Sequence, residues 1–153
     1  MINKKTNELV NVYCRLRDRQ LAVYAQYAKK FKLTANELFV LDILWFTPGG
    51  CTQKEICTRL SANKQTIAAI TGRFLKRGYI FMEESVGDRR NKCIRFTRMG
   101  KEYAEKIIPC AALAENLAME RLGLQKIGEL VRLTAQLTVN MEETFEKSLE
   151  DFA

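Results

Sequence analysis

TQKEICTRLSANKQTIAAITGRFLKRGYI, residues Thr52 to Ile80, is the stretch that decides the fold. Thr52 and Glu55 form a T-x-x-E capping box, in which the threonine hydroxyl takes an orphan helix N–H and the glutamate reaches back to the cap. That signal predicts a short helix through about Leu60. Ser61-Ala62-Asn63 is a tight polar turn. A second helix is predicted from Lys64 to about Arg77, with Ile67, Ile70, Phe74 and Leu75 on its inner side. Gly78 is placed as its left-handed terminator. Two short helices joined by a tight turn, the second rich in polar and basic groups, make a helix-turn-helix pattern.

Upstream, LTANELFVLDILWF carries another capping box, Thr34 with Glu37, followed by an apolar run from Leu38 to Phe46 that predicts a buried helix. Thr47-Pro48-Gly49-Gly50 ends it. Before that, Glu8 to Lys30 has no proline or glycine and spaces Leu9, Val12, Tyr13, Leu16, Leu21, Tyr24 and Tyr27 as one long helix does. Downstream, YIFMEE and KCIRFT read as the strands of a hairpin with SVGDRRN at its tip. Thr97 is positioned to cap RMGKEYAEKII, and Pro109 predicts a kink or break after it. The last segment, from Gly123 onward, sets Leu124, Ile127, Leu130, Val131, Leu137, Met141 and Phe145 in a stripe beside acidic positions. The fold class is therefore mainly α with a small β-hairpin: a winged helix-turn-helix flanked by N- and C-terminal helices. We expect one domain over 1–153, with a central lobe at 34–97. The outer helices, 1–30 and 99–153, are expected to pack together and against a second copy; a self-contained helical bundle is the alternative.

At 153 residues the chain is long enough to bury a core without disulfides or metal. It contains no histidine, which removes the commonest general base and metal ligand. The five cysteines, Cys14, Cys51, Cys57, Cys93 and Cys110, form no C-x-x-C pair. We therefore expect no metal, no cofactor and no enzyme. No apolar run approaches a bilayer span and the N-terminus has no hydrophobic signal core, so a cytoplasmic protein without membrane contact is expected. Charge is uneven: residues 1–50 carry 8 Lys/Arg against 4 Asp/Glu, residues 51–101 carry 12 against 4, and residues 102–153 carry 5 against 10. A basic middle segment suggests a polyanion partner, with a merely solvated surface as the alternative.

LTANELFVLDIL, the helix-turn-helix ending in LKRGYI, the Asp-Arg-Arg hairpin tip and the FTRMG that follows resemble, in order and spacing, the MarR-type transcriptional regulators. The resemblance covers nearly the whole chain. It implies a homodimer joined through its terminal helices that binds pseudo-palindromic double-stranded operator DNA. It also implies a repressor whose DNA affinity falls when a small molecule, such as an aromatic ligand, or an oxidant is sensed. The alternative is a winged-helix module used for protein–protein contact. Ala68-Ala69 departs from the Ser-Arg pair often found there in relatives, and Gly72 sits in mid-helix.

Within this pattern Asn63, Lys64 and Gln65 are the candidates for base edges, because Asn or Gln can pair with adenine and Lys can reach guanine acceptors. Ala68 suits a thymine methyl. Thr66, Thr71 and Arg73, with Gln53 and Lys54 at the preceding helix start, are candidate phosphate contacts. At the hairpin tip Gly87 is expected to allow the turn and Asp88 to brace it. The family resemblance implies that Arg90 enters the minor groove, with Arg89 on phosphate. For sensing, Cys14 is a candidate redox thiol, again by resemblance to peroxide-sensing relatives. Tyr13, Tyr24, Tyr27, Trp45 and Phe46 line a ligand crevice or are plain core. Cys51 and Cys57 are expected to be small buried hydrophobes.

Overall fold

The structure, a computed structural model, describes residues 3–85 and 88–152, without the side chains of residues 85, 88–91 and 149–152. Its elements run α1 (Lys4–Lys29), α2 (Ala35–Trp45), β1 (Cys51–Thr52), α3 (Gln53–Leu60), α4 (Lys64–Lys76), β2 (Ile80–Ser85), β3 (Asp88–Phe96), α5 (Arg98–Glu105), α6 (Ile108–Glu120) and α7 (Leu124–Phe152). They divide into two compact units, Met1–Cys110 and Ala111–Ala153.

The helix starts lie where their caps are. Thr34 and Glu37 complete a reciprocal box at α2, as Thr52 and Glu55 do at α3, each pair satisfying two otherwise orphan N–H groups. Ser61 leaves α3 in the left-handed region at φ 47°, which turns the chain sharply into α4. Gly78, at φ 72°, follows the end of α4 and turns the chain towards β2, which starts at Ile80. Pro109 produces a break rather than a kink. It falls in the first turn of α6, where a missing N–H costs nothing.

The hairpin gains a strand that the pattern of residues did not announce. β1 pairs antiparallel with β3, placing Cys51 opposite Ile94, and the sheet order is β1-β3-β2. Gly50 makes this possible: at φ 82° it doubles the chain back, and a side chain there would collide with Cys93 Sγ at 2.5 Å. β2 and β3 stay in register from Ile80–Phe96 to Glu84–Lys92, then shift so that Ser85 lies opposite Asp88.

The core of the first unit is built from Leu38, Val40, Leu41, Ile43 and Leu44 of α2, Ile56 of α3, Ile67, Ile70 and Phe74 of α4, and Ile80 and Ile94 of the sheet. Leu75, expected on the inner side of α4, is 39% exposed. It lies one residue beyond Phe74, so the helix turns it away from the core. By contrast, α1 buries only Ala28. In the second unit Leu130, Val131, Met141 and Phe145 of α7 are exposed. Among the described residues no helix is long and apolar enough to cross a membrane.

Two glycines should respond oppositely to a methyl group. A Cβ at Gly100, in α5, would run into the Tyr79 backbone carbonyl, whereas one at Gly72 meets nothing within 4 Å. Gly100→Ala should therefore destabilise by about 3 kcal/mol, as overpacking against fixed backbone does. Gly72→Ala should stabilise by about 0.8–1 kcal/mol through helix propensity. Urea unfolding monitored by circular dichroism measures both; a neutral Gly100→Ala would contradict the close helix–strand contact.

Candidate nucleic-acid interface

Helix α4 has two faces because its apolar residues recur at helical spacing. Ile67, Ile70, Thr71 and Phe74 are buried, which leaves Lys64, Gln65, Ala68, Ala69, Gly72, Arg73 and Lys76 exposed on the other side. The exposed stripe is cationic at both ends. It is small in the middle, so the helix backbone can come close to whatever surface it meets. Asn63 caps the helix: its Oδ1 accepts the Thr66 N–H at 2.7 Å. That occupies the acceptor needed for bidentate pairing with adenine, so while the cap holds Asn63 offers only its amide donors. Lys64, Gln65 and Ala68 are exposed as expected, and Thr66 is half-buried.

Thr71 requires a correction. It is fully buried. Its hydroxyl donates to the Ile67 carbonyl at 3.0 Å and accepts from Gln53 Nε2 at 2.8 Å. A hydroxyl so placed cannot reach a phosphate; it ties the start of α3 to the middle of α4. Gln53 is half-buried by the same tie: one N–H of its Nε2 goes to Thr71, which anchors α3 to α4 and leaves the second N–H as the donor it could offer a phosphate.

Lys54 is exposed at the start of α3, beside backbone N–H groups that favour an anion. With Lys64 of α4 and Lys92 of β3 it lines a cleft of about 540 Å³, floored by Cys57 and Met82. Lys92 was not singled out from the sequence. Its signal in the sequence is a basic residue on the second hairpin strand, just past the paired arginines.

Arg73 is exposed, as a phosphate contact requires, and it makes a bond that the sequence did not announce. Its Nε donates to Glu37 Oε1 at 2.8 Å, and its side chain remains 47% exposed. Glu37 is 5% exposed, and its Oε2 accepts the Thr34 N–H at 2.8 Å. Burial pushes the Glu37 carboxyl upward, but the bonds from Thr34 and Arg73 outweigh it and hold the group below the ordinary carboxylate range. A glutamate just inside a capping box looks like a cap alone; nothing local announced a second bond to α4.

Asp88, Arg89 and Arg90 fall in β3, but their side chains, and all of Gly87, lie outside the described residues. Below them Arg95 pairs with Glu83 at 3.4 Å across the hairpin. Of the aromatic set, Tyr24, Tyr27 and Trp45 pack against the core, with the Tyr27 hydroxyl donating to the Ile107 carbonyl at 2.7 Å. Tyr13 and Phe46 are exposed. Cys14 and Cys57 are half-buried, Cys110 is exposed and Cys51 is buried. Burial, reinforced by Glu55 and Cys93, pushes the Cys51 thiol up to about 11.

Residues 31–91 match the family model described as the MarR family. No curated protein matches the chain significantly. Among solved structures, a MarR family regulator from Neisseria meningitidis is 25% identical, with 96% of this chain and 99% of that chain covered and a TM-score of 0.74. The S. aureus MepR–DNA complex is 18% identical over 88% of this chain and 96% of that one, with a TM-score of 0.67. BpsR of Bordetella bronchiseptica, whose DNA binding is regulated by 6-hydroxynicotinic acid, is 19% identical over 90% and 98%, with a TM-score of 0.69.

The thiols give a direct check on the interface side of the sheet. With its pKa raised to about 11, Cys51 stays protonated at pH 8 and should react with maleimide only through unfolding, whereas exposed Cys110 should be labelled first. Timed labelling read by peptide mass spectrometry decides this; early modification of Cys51 in the folded protein would contradict the packing of β1.

Proposed function

We propose that this chain, a MarR-family winged-helix protein by its fold and by the match over residues 31–91, is a cytoplasmic transcriptional regulator that binds double-stranded DNA sequence-specifically as a homodimer. One observation carries the reading: the exposed, cationic face of α4 stands opposite its buried apolar face, with Lys54 and Lys92 beside it. The shared fold of the S. aureus MepR–DNA complex supports it.

In this reading α4 enters the major groove. Lys64 and Gln65 face base edges, and Ala68 lies against a thymine methyl. Lys54 and the first N–H groups of α3 hold a backbone phosphate, joined by Lys92 from the hairpin. Arg90 enters the adjacent minor groove and Arg89 takes phosphate, while Asp88 orients the pair, because a carboxylate facing phosphate would repel it. The regulator acts as a repressor released by a small ligand or by oxidation. The 6-hydroxynicotinic acid control of BpsR, which shares the fold, supports the first route, and Cys14 is the candidate thiol for the second.

Uncovered apolar surface supports the homodimer. On α1, Leu9, Val12, Tyr13, Leu16, Leu21 and Val23 are all exposed in the single chain, as are Leu130, Val131, Met141 and Phe145 on α7. Contiguous apolar faces of this extent mark interaction surfaces. A charge set into one of them, Leu16→Glu, should shift the mass measured by light scattering from dimer to monomer at micromolar concentration. Persistence of the dimer would move the interface off α1.

Selection of bound DNA from a random pool, followed by fluorescence anisotropy at several salt concentrations, tests the DNA reading. Lys54→Ala should weaken selected and scrambled sites alike and reduce the salt slope by about 0.9. Gln65→Ala should cost about 1–3 kcal/mol on the selected site alone. Absence of binding to any sequence at low salt would refute the proposal and favour a protein–protein module.

A further inference from the structure

Glu37 is an unusual residue to bury. Its carboxylate sits at the start of α2, 5% exposed, with each oxygen committed once: Oε2 to the Thr34 N–H and Oε1 to Arg73 Nε. The first bond completes the capping box and would form without the second. The second crosses 36 residues of sequence to reach a side chain on the exposed stripe of α4. An ion pair that is buried on one side is poor at adding stability, because desolvation offsets the attraction. An uncharged capping residue would satisfy Thr34 equally well. The arrangement at the other end is more telling. Arg73 gives Glu37 only its Nε, no hydrogen bond joins its two Nη groups to another described residue, and its side chain is about half exposed.

We propose that Glu37 is a positioning residue for the DNA face: it grips the Arg73 guanidinium by Nε and holds its Nη fork outward for a backbone phosphate. This rests on the DNA-binding reading above. A guanidinium suits the task because its planar donors diverge, so one edge can be anchored while the other stays available for an anion's oxygens. A lysine has a single nitrogen and no such division. An arginine without the anchor would spread over many rotamers, and part of its binding energy would be lost in ordering it.

The test is a double-mutant cycle on DNA affinity with the full-length protein, using Glu37→Gln, Arg73→Ala and their combination. Glu37→Gln keeps an oxygen for the Thr34 cap but loses the charge that holds Arg73. Each single variant should weaken binding roughly tenfold, the worth of one charge-assisted phosphate contact. The double variant should bind no more weakly than Arg73→Ala, whose salt slope should fall by about 0.9. Arg73→Lys should lose affinity much as Arg73→Ala does while keeping more of the salt slope, since its charge remains, which keeps the test open if the Glu37 variant folds poorly. Tighter or unchanged binding by Glu37→Gln would make the glutamate a brake or a bystander. Additive losses in the double variant, or wild-type binding by Arg73→Lys, would also overturn the proposal. A wild-type protein that binds no DNA would instead remove the reading beneath it.

Discussion

Burial of Ile67, Ile70 and Phe74 sets the roll of α4 about its own axis, and most of what the first unit presents to the outside follows from that one constraint. Each of these side chains gains about 1.5–3 kcal/mol on leaving water. Turning the helix by one residue, about 100°, would expose Phe74 and push Leu75 or Arg73 inward. No surface interaction of ordinary size offsets such a loss. Lys64, Gln65, Ala68 and Arg73 therefore face outward because the apolar residues between them cannot. Thr71 is the polar residue of α4 that is drawn in with the core. It is tolerated because its hydroxyl is bonded to both the Ile67 carbonyl and Gln53, so that its burial also registers α3 against α4.

The same unit deals with its acidic groups in a way that leaves its lysines free. Glu55 accepts from both the N–H and the hydroxyl of Thr52, and the bond from that N–H is the main cause that holds its carboxyl below the usual value. Glu83 is paired with Arg95, and Glu37 with Arg73. The exposed Glu83–Arg95 pair adds little stability, typically about 0–1 kcal/mol. The consequence of these pairings is electrostatic: Lys54, Lys64 and Lys92 line one cleft with no ion pair among the described residues. A basic middle segment in the sequence thus becomes a basic surface, with Glu55 occupied by its cap and Glu83 by a cross-strand tie rather than by these lysines.

Features governed by adjacent residues were legible before the structure. Both capping boxes, the Ser61–Asn63 turn, the Gly78 terminator and the Thr97 cap depend on groups within a few residues of each other, and each is where its motif placed it. What escaped depends on partners far along the chain. β1 exists because Cys51 meets Ile94, and two residues leave no periodicity to detect. Thr71 looked like an exposed hydroxyl on a polar helix, since nothing nearby indicates that Gln53 covers it. Leu75 looked buried because composition does not separate the edge of an apolar face from its centre. Glu37 carried the signature of a cap so fully that its second bond, to Arg73, was hidden behind the first.

The small centre of α4 bears on how such a protein would choose its DNA. Between Gln65 and Arg73 the exposed stripe offers only Ala68, Ala69 and Gly72, none of which has a hydrogen-bonding side chain. Methyl groups can favour thymine, but they discriminate among the remaining base pairs weakly compared with a bidentate amide or guanidinium. Asn63 has already given its carbonyl oxygen to the Thr66 N–H. In the proposed binding mode, direct readout would therefore fall to Lys64 and Gln65, at one end of the helix. What the centre provides instead is proximity: without side chains to hold it off, the backbone can sit deep in the groove and make phosphate contacts and groove width count for more. A recognition helix built this way trades base-edge contacts for shape. In the proposed mode it would place the burden of affinity on the cations of this face, of which Arg73 is held by Glu37.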